Sequence, residues 1–130
     1  MANTEKDILR GGQFLVKETN CEDVFTPEDF SEEQTMMKES VMEFNEREII
    51  AHKPRFEAKD YALTEEVMRK AGEMGFLGVA VPEAYDGLGM GFVSTCLTCD
   101  YISSGTGSFS TAFGAHTGIG TMPITLYGTE

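Results

Sequence analysis

The chain has 130 residues, 41% hydrophobic and 25% charged with no long low-complexity run, which suits one folded domain and excludes a disordered tail or a two-domain enzyme. Ten basic residues against 22 acidic ones leave a net charge of −12, which repels nucleic acid and anionic membrane surfaces, so neither is expected as a partner. Three cysteines make no disulfide framework, and the opening MANTEKDILRGG mixes acids with bases and lacks an apolar run, so the chain reads as cytoplasmic.

Residues 1–30 are a mixed segment containing GGQFLVKE that no pattern places. From Phe25 the run FTPEDFSEEQTMMKESVMEFNEREII carries two helix starts: Pro27 two residues before Asp29, and Ser31 three before Gln34, a capping-box spacing. Met37, Val41 and Phe44 then recur at helical spacing, which predicts a long amphipathic helix that Pro54 stops. A second helix is predicted over TEEVMRKAGEMGF, capped by Thr64, with Val67, Met68, Ala71 and Met74 on one face and Gly72 and Gly75 at its end. The following LGVAVPEAYDGLGMGF reads as an ordered, turn-rich connection. There Gly87, Gly89 and Gly91 take positive φ or let backbones approach closely. A third helix is predicted from Phe92 to about Ser103, and a fourth from Ser108 to about Ile119 with Phe109, Ala112, Phe113 and His116 on one side. No strand pattern competes, so the fold class is all-α, a small helical bundle joined by glycine-rich loops.

Charge is unevenly placed. All ten basic side chains fall within residues 1–70, whereas 101–129 contain no Asp, Glu, Lys or Arg. That stretch is too rich in Gly, Ser and Thr to cross a membrane, and Pro123 interrupts it. Its faces are therefore expected to meet protein, more of it than 130 residues supply, and the chain by itself is expected to self-associate.

Candidate chemistry is sparse. Cys96-Leu-Thr-Cys99 resembles a metal or dithiol motif, but a second CxxC or paired histidines are lacking, and on a helix the two thiols merely share a face. His52 and His116 lie far apart, so no metal site is expected. Glycines 87, 89 and 91 miss the dinucleotide fingerprint, because Phe92 stands where its third glycine belongs. Glu28, Asp29, Glu32 and Glu33 crowd a helix start, where the dipole favours acids without any catalytic role.

One segment is more specific. Gly72-Glu-Met-Gly75-Phe-Leu-Gly78-Val-Ala-Val-Pro82-Glu83-Ala-Tyr85-Asp86-Gly87-Leu-Gly89 resembles the pattern GxxGxxxxxxPExYGGxG that follows the second helix in acyl-CoA dehydrogenases, with Asp86 in place of the first paired glycine. Gly114-Ala-His116-Thr-Gly118-Ile-Gly120 and Pro123-Ile-Thr-Leu-Tyr127-Gly128-Thr129-Glu130 resemble that family's fourth helix and the start of its fifth. The likeness covers about residues 31–130 and leaves residues 1–30 as an N-terminal extension. It implies the N-terminal helical domain of a three-domain fold, with the chain stopping before the middle β domain at a Thr129-Glu130 that reads as the cap of a next helix.

The resemblance also implies an activity: α,β-dehydrogenation of a fatty acyl-CoA by FAD, with a glutamate as base and electrons leaving to an electron-transfer flavoprotein, in an enzyme that is a homo-oligomer. The base and nearly all flavin contacts of the family lie in later domains. No catalytic or cofactor-binding residue is therefore expected in this chain, and it is not expected to bind FAD alone. A non-catalytic helical interaction module of the same superfamily is the alternative. What this domain contributes in the family is a wall of the acyl pocket, and the matching positions are Thr111, Gly114, Ala115 and Gly118. Their small side chains, within a GAHxxIG run, resemble the long-chain and very-long-chain members.

Overall fold

The computed structural model describes residues 8–129, and no strand occurs among them. The chain divides into two units, Met1–Glu32 and Glu33–Glu130. In the first, short 3-10 turns at Gly11–Leu15, Cys21–Asp23 and Pro27–Asp29 each follow a residue whose backbone N–H is taken by a side chain within the turn: Gln13 for Arg10, Asp23 for Asn20 and Asp29 for Thr26. Pro27 thus opens a turn of its own rather than the long helix. Leu9 N–H donates to the Asp23 carbonyl at 2.9 Å, closing the segment on itself, and the Phe25 and Phe30 rings lie 5.7 Å apart.

Helix α1, Glu32–Phe44, begins directly after Ser31 and turns Met37, Val41 and Phe44 to the core, as the spacing predicts. The helical path does not stop at Pro54. A π segment at Asn45–Ile49 and a 3-10 turn at Ile50–His52 lead into α2, Lys53–Glu57, with Pro54 in its first turn. A proline there lacks only an N–H that would have no partner in any case, and the irregular turns upstream absorb its ring. The π segment buries Asn45, whose Nδ2 donates to the Tyr101 carbonyl and to Ser104 Oγ, both at 2.8 Å. Those two bonds tie the first helical path to the end of α4, Phe92–Ser103.

Helix α3 spans Tyr61–Glu73, and its cap is Asp60 rather than Thr64. Asp60 Oδ1 accepts from Leu63 N–H at 3.1 Å, and Oδ2 takes the Arg55 guanidinium at 2.7 and 2.9 Å. Thr64 lies inside the helix and donates to the Asp60 carbonyl. Leu63, Val67 and Ala71 are buried, Met68 packs against them, and Met74 is exposed at the C-cap. Gly75 then takes φ +80°, the left-handed turn that ends the helix.

Across the core, Phe44 meets Phe76 edge-on at 5.4 Å, and Phe109 lies 5.4 Å from Phe56 and 6.4 Å from Phe113. Helix α5, Gly107–Gly114, starts from Thr106, whose hydroxyl accepts from Ser108 N–H. It continues through a π segment, Ala115–Thr121, into α6, Met122–Tyr127. The fourth helix therefore overruns its predicted end at Ile119, and Pro123 sits in the first turn of α6; of the helix start read at Thr129-Glu130, Glu130 lies outside the described residues. His116 is exposed, not on the buried side with Phe109 and Phe113, because the 3.6-residue period fails once the π segment begins at Ala115. No helix among the described residues is long and apolar enough to cross a membrane.

An ionic cluster joins α3 to the first π segment. Glu48, only 12% exposed, holds Lys70 Nζ at 2.9 Å and Arg47 Nε at 2.8 Å; these bonds, Lys70 first, keep its carboxyl below the ordinary 4.5. Lys70, bonded to Glu66 as well, is raised above the ordinary 10.5. A lowered carboxyl pKa adds stability that is complete above the unfolded value and lost as pH falls through the folded one; for Lys70 the contribution is complete below 10.5 and lost above it. Stability is expected to drop as pH falls below about 4.5. Glu48→Gln should show a smaller drop in thermal midpoint between pH 7 and pH 3 than the parent chain, and equal drops would remove Glu48 from the acid transition.

Candidate functional site

The connection between α3 and α4 is built by close backbone approach. Leu88 N–H donates to the Gly78 carbonyl, Gly89 N–H to Val81 and Met90 N–H to Val79, at 2.8 to 3.0 Å, so residues 86–90 fold back over 78–82. Asp86 takes φ +60°, a left-handed conformation that a glycine adopts without strain and that Asp tolerates. Gly87 has the other requirement, since a Cβ there would land on the Val81 carbonyl oxygen. The paired positions of the motif thus have separate reasons, and only the second one demands glycine. Of the remaining glycines, Gly89 uses positive φ (+62°), whereas Gly91 has neither constraint and serves as the N-cap of α4.

This connection forms one wall of an apolar cavity of about 430 Å³, within the range of small-molecule sites. Val79, Val81 and Met90 line it from the loop, Thr95, Thr98 and Cys99 from α4, and Gly114, Thr117, Gly118 and Met122 from the α5 path. Each threonine hydroxyl is turned back onto its own helix: Thr95 to the Gly91 carbonyl at 3.4 Å, Thr98 to Ser94 at 2.9 Å and Thr117 to Phe113 at 2.9 Å. No charged side chain takes part in the lining.

Of the four positions marked in the sequence, Gly114 and Gly118 line the cavity and a Cβ added to either meets nothing within 4 Å. Thr111 and Ala115 are exposed outside that lining, and the Thr111 hydroxyl bonds to the Gly107 carbonyl at 2.8 Å. The α4 residues were missed in the sequence, although Thr95, Thr98 and Cys99 share a face at i, i+3, i+4. Cys99 is half-buried against the cavity, and burial, then the neighbouring Cys96, push its thiol pKa up, which keeps it protonated. Among the described residues no group of three His, Cys, Asp or Glu side chains clusters to hold a metal.

The residues around the cavity do not fit a flavin dinucleotide. A diphosphate calls for cations or a glycine-rich helix start, yet residues 71–130 hold no Lys or Arg and glycines 87, 89 and 91 lack the required spacing.

Comparison with known proteins gives the following. Residues 31–130 match the family model described as acyl-CoA dehydrogenase, N-terminal domain. The chain is 37% identical over all 130 residues to a probable acyl-CoA dehydrogenase of Bacillus subtilis (strain 168), of which it covers 22%. It is 35% identical over 103 residues, 78% of the chain, to the mitochondrial long-chain specific acyl-CoA dehydrogenase of Mus musculus, covering 23% of that protein. To the mitochondrial isovaleryl-CoA dehydrogenase of Solanum tuberosum it is 32% identical over 102 residues, again 78% of the chain and 25% of the relative. Its fold superposes with TM-score 0.84 and 39% identity on a crystal structure of an acyl-CoA dehydrogenase complexed with FAD from Bacillus anthracis, over 94% of this chain and 21% of that one. The chain spans a quarter or less of the length of these relatives. With a helical fold, a PExY loop folded over an apolar cavity and a family match through residues 31–130, the chain belongs to the acyl-CoA dehydrogenase family, as its N-terminal domain.

Proposed function

We propose that the chain supplies the N-terminal helical domain of an FAD-dependent enzyme that dehydrogenates fatty acyl-CoA thioesters at the α,β bond, with long chains preferred and an electron-transfer flavoprotein as acceptor. The apolar cavity carries this reading: it accepts a hydrocarbon tail and offers no acid, base or cation to do chemistry on one. In this view the chain is inactive alone, residues 1–30 are an extension to the domain, and the cytoplasmic enzyme works as a homo-oligomer. Gly114 and Gly118 admit the tail, while Thr111 and Ala115, on the exposed side of the same helical path, face it where the rest of the enzyme completes the pocket.

Two measurements test the reading. The 130-residue chain is expected to purify colourless and to take up no added FAD, because the dinucleotide has no cradle in it; stoichiometric flavin on the isolated chain would count against the division of labour. In the full-length enzyme, Gly114→Gln, Gly118→Gln and Ala115→Glu should lower kcat/KM for long acyl-CoA while sparing short ones. Displacing two or three methylenes removes about 2 kcal/mol, roughly thirtyfold in rate. At Gly114 and Gly118 the open space around the added Cβ makes this a volume effect rather than a folding defect. Equal losses at all chain lengths would show that the small residues do not set the length of the pocket.

A further inference from the structure

We propose that Phe14, Leu15 and Val16 form a docking surface for a further segment of the full-length protein, one that shorter relatives lack. The inference builds on the reading of residues 1–30 as an extension to the helical domain and requires nothing of the substrate. The extension has a built conformation: its three turns are each closed by a side chain, Leu9 N–H donates to the Asp23 carbonyl, and the Phe25 and Phe30 rings lie 5.7 Å apart. Yet the turn at Gly11–Leu15 buries none of its residues, and Phe14, Leu15 and Val16 stand 52%, 75% and 85% exposed, side by side. An ordered turn that holds three consecutive apolar side chains in water is a surface for contact. Charge disfavours a lipid bilayer as the occupant, because residues 8–30 set five acids against Arg10 and Lys17.

The lengths of the relatives indicate what covers it. The match to the Bacillus subtilis protein runs through the extension, and its 130 residues are 22% of that protein, which is therefore about 590 residues long. The Bacillus anthracis structure superposes on 94% of this chain, more than residues 31–130 alone could supply, and the 21% share makes it about 580 residues. The Solanum tuberosum and Mus musculus relatives match over 102 and 103 residues, the size of the helical domain without the extension. Those matches are 25% and 23% of their lengths, about 410 and 450 residues. Relatives that carry the extension are thus longer by about 130–180 residues, of which the extension supplies only a small part; the remainder is the size of one further small domain. Contact between the two explains why they occur together: the added segment covers the apolar side chains that the extension holds outward.

The test uses the full-length enzyme with p-benzoylphenylalanine in place of Phe14, irradiated, digested and mapped by mass spectrometry. The intact protein is expected to be of the longer class, and the cross-links to fall in the segment that the shorter relatives lack. Leu15→Asp and Val16→Asp provide a second readout. In the 130-residue chain both side chains are in solvent, so each thermal midpoint should stay within about 2 °C of the parent. In the full-length enzyme each should speed deuterium exchange of amides in the added segment by about tenfold. An intact protein of only about 400 residues overturns the proposal, as do cross-links confined to regions shared with the shorter relatives, cross-links between two copies of the extension, or unchanged exchange in both variants. These readouts report position and not turnover, so their failure is separate from a failure of the dehydrogenase reading, which the kcat/KM series above decides.

Discussion

Phe109→Ala is expected to lower the unfolding free energy by about 3–5 kcal/mol, the usual range for deleting a ring from a filled core. Phe109 is 0% exposed and stands between Phe56 of α2 and Phe113 one turn along its own helix, so its ring helps join the two long helical paths. Its two ring neighbours are anchored on separate helices, α2 and α5, and cannot both move inward to fill the space. Against a total stability of about 5–15 kcal/mol for a domain of this size, the variant should be close to unfolding at 37 °C. Urea unfolding monitored by circular dichroism would show the midpoint falling with the slope preserved. The contrast is Phe92→Ala: that ring is 82% exposed, and its loss should stay within about 0.5 kcal/mol. A Phe109→Ala loss below 1 kcal/mol would mean that the core repacks around it.

Gly87→Ala should cost about 3 kcal/mol, a large effect for one methyl in a loop, because the obstruction is backbone and not a flexible side chain. The new Cβ would overlap the Val81 carbonyl, and that carbonyl is also the acceptor for Gly89 N–H at 2.8 Å. Relieving the overlap therefore breaks the fold-back that presents Val79, Val81 and Met90 to the cavity. The neighbouring Asp86→Gly should be nearly neutral, since it exchanges left-handed strain for greater freedom of the unfolded chain. Thermal melts of the two variants separate the roles of the paired positions. Comparable midpoints for both would show that close approach does not distinguish Gly87.

What the sequence made legible was local. Helix α4 occupies the predicted Phe92–Ser103, because Gly91 before it and Ser104-Gly105 after it are strong punctuation. The inward faces of α1 and α3 followed the 3.6-residue period as far as Phe44 and Ala71. Misreadings came where two signals competed. Thr64 looks like a cap, but Asp60, four residues earlier, captures both Leu63 N–H and Arg55 and wins the position. Pro54 looked like a stop and is a first-turn residue of a short helix reached through irregular turns.

The candidate site was half visible for a different reason. Gly114 and Gly118 were marked by their resemblance to a motif, but nothing local says that residues 79–90, 95–99 and 114–122 converge on one space. That depends on how three elements pack. The hydroxyl orientations that make the threonine wall apolar are a property of helical geometry combined with placement, and composition alone points the wrong way.

The apolar residues at the end of the chain have a consequence for its behaviour as a colloid. Ile119, Ile124, Leu126 and Tyr127 are each more than 60% exposed on a stretch without a single charge, whereas the acids that set the net charge of −12 lie mostly within residues 1–70. Repulsion between molecules is therefore long-ranged and ionic, attraction short-ranged and hydrophobic, and the two reside on different parts of one polypeptide. At low ionic strength, with a screening length of about 30 Å at 0.01 M, the repulsive part governs encounters; near 1 M it shrinks to about 3 Å and the bare helix is free to find another. Raising salt from 0.01 to 1 M is thus expected to drive the chain from dispersed to associated, which light scattering across that range checks.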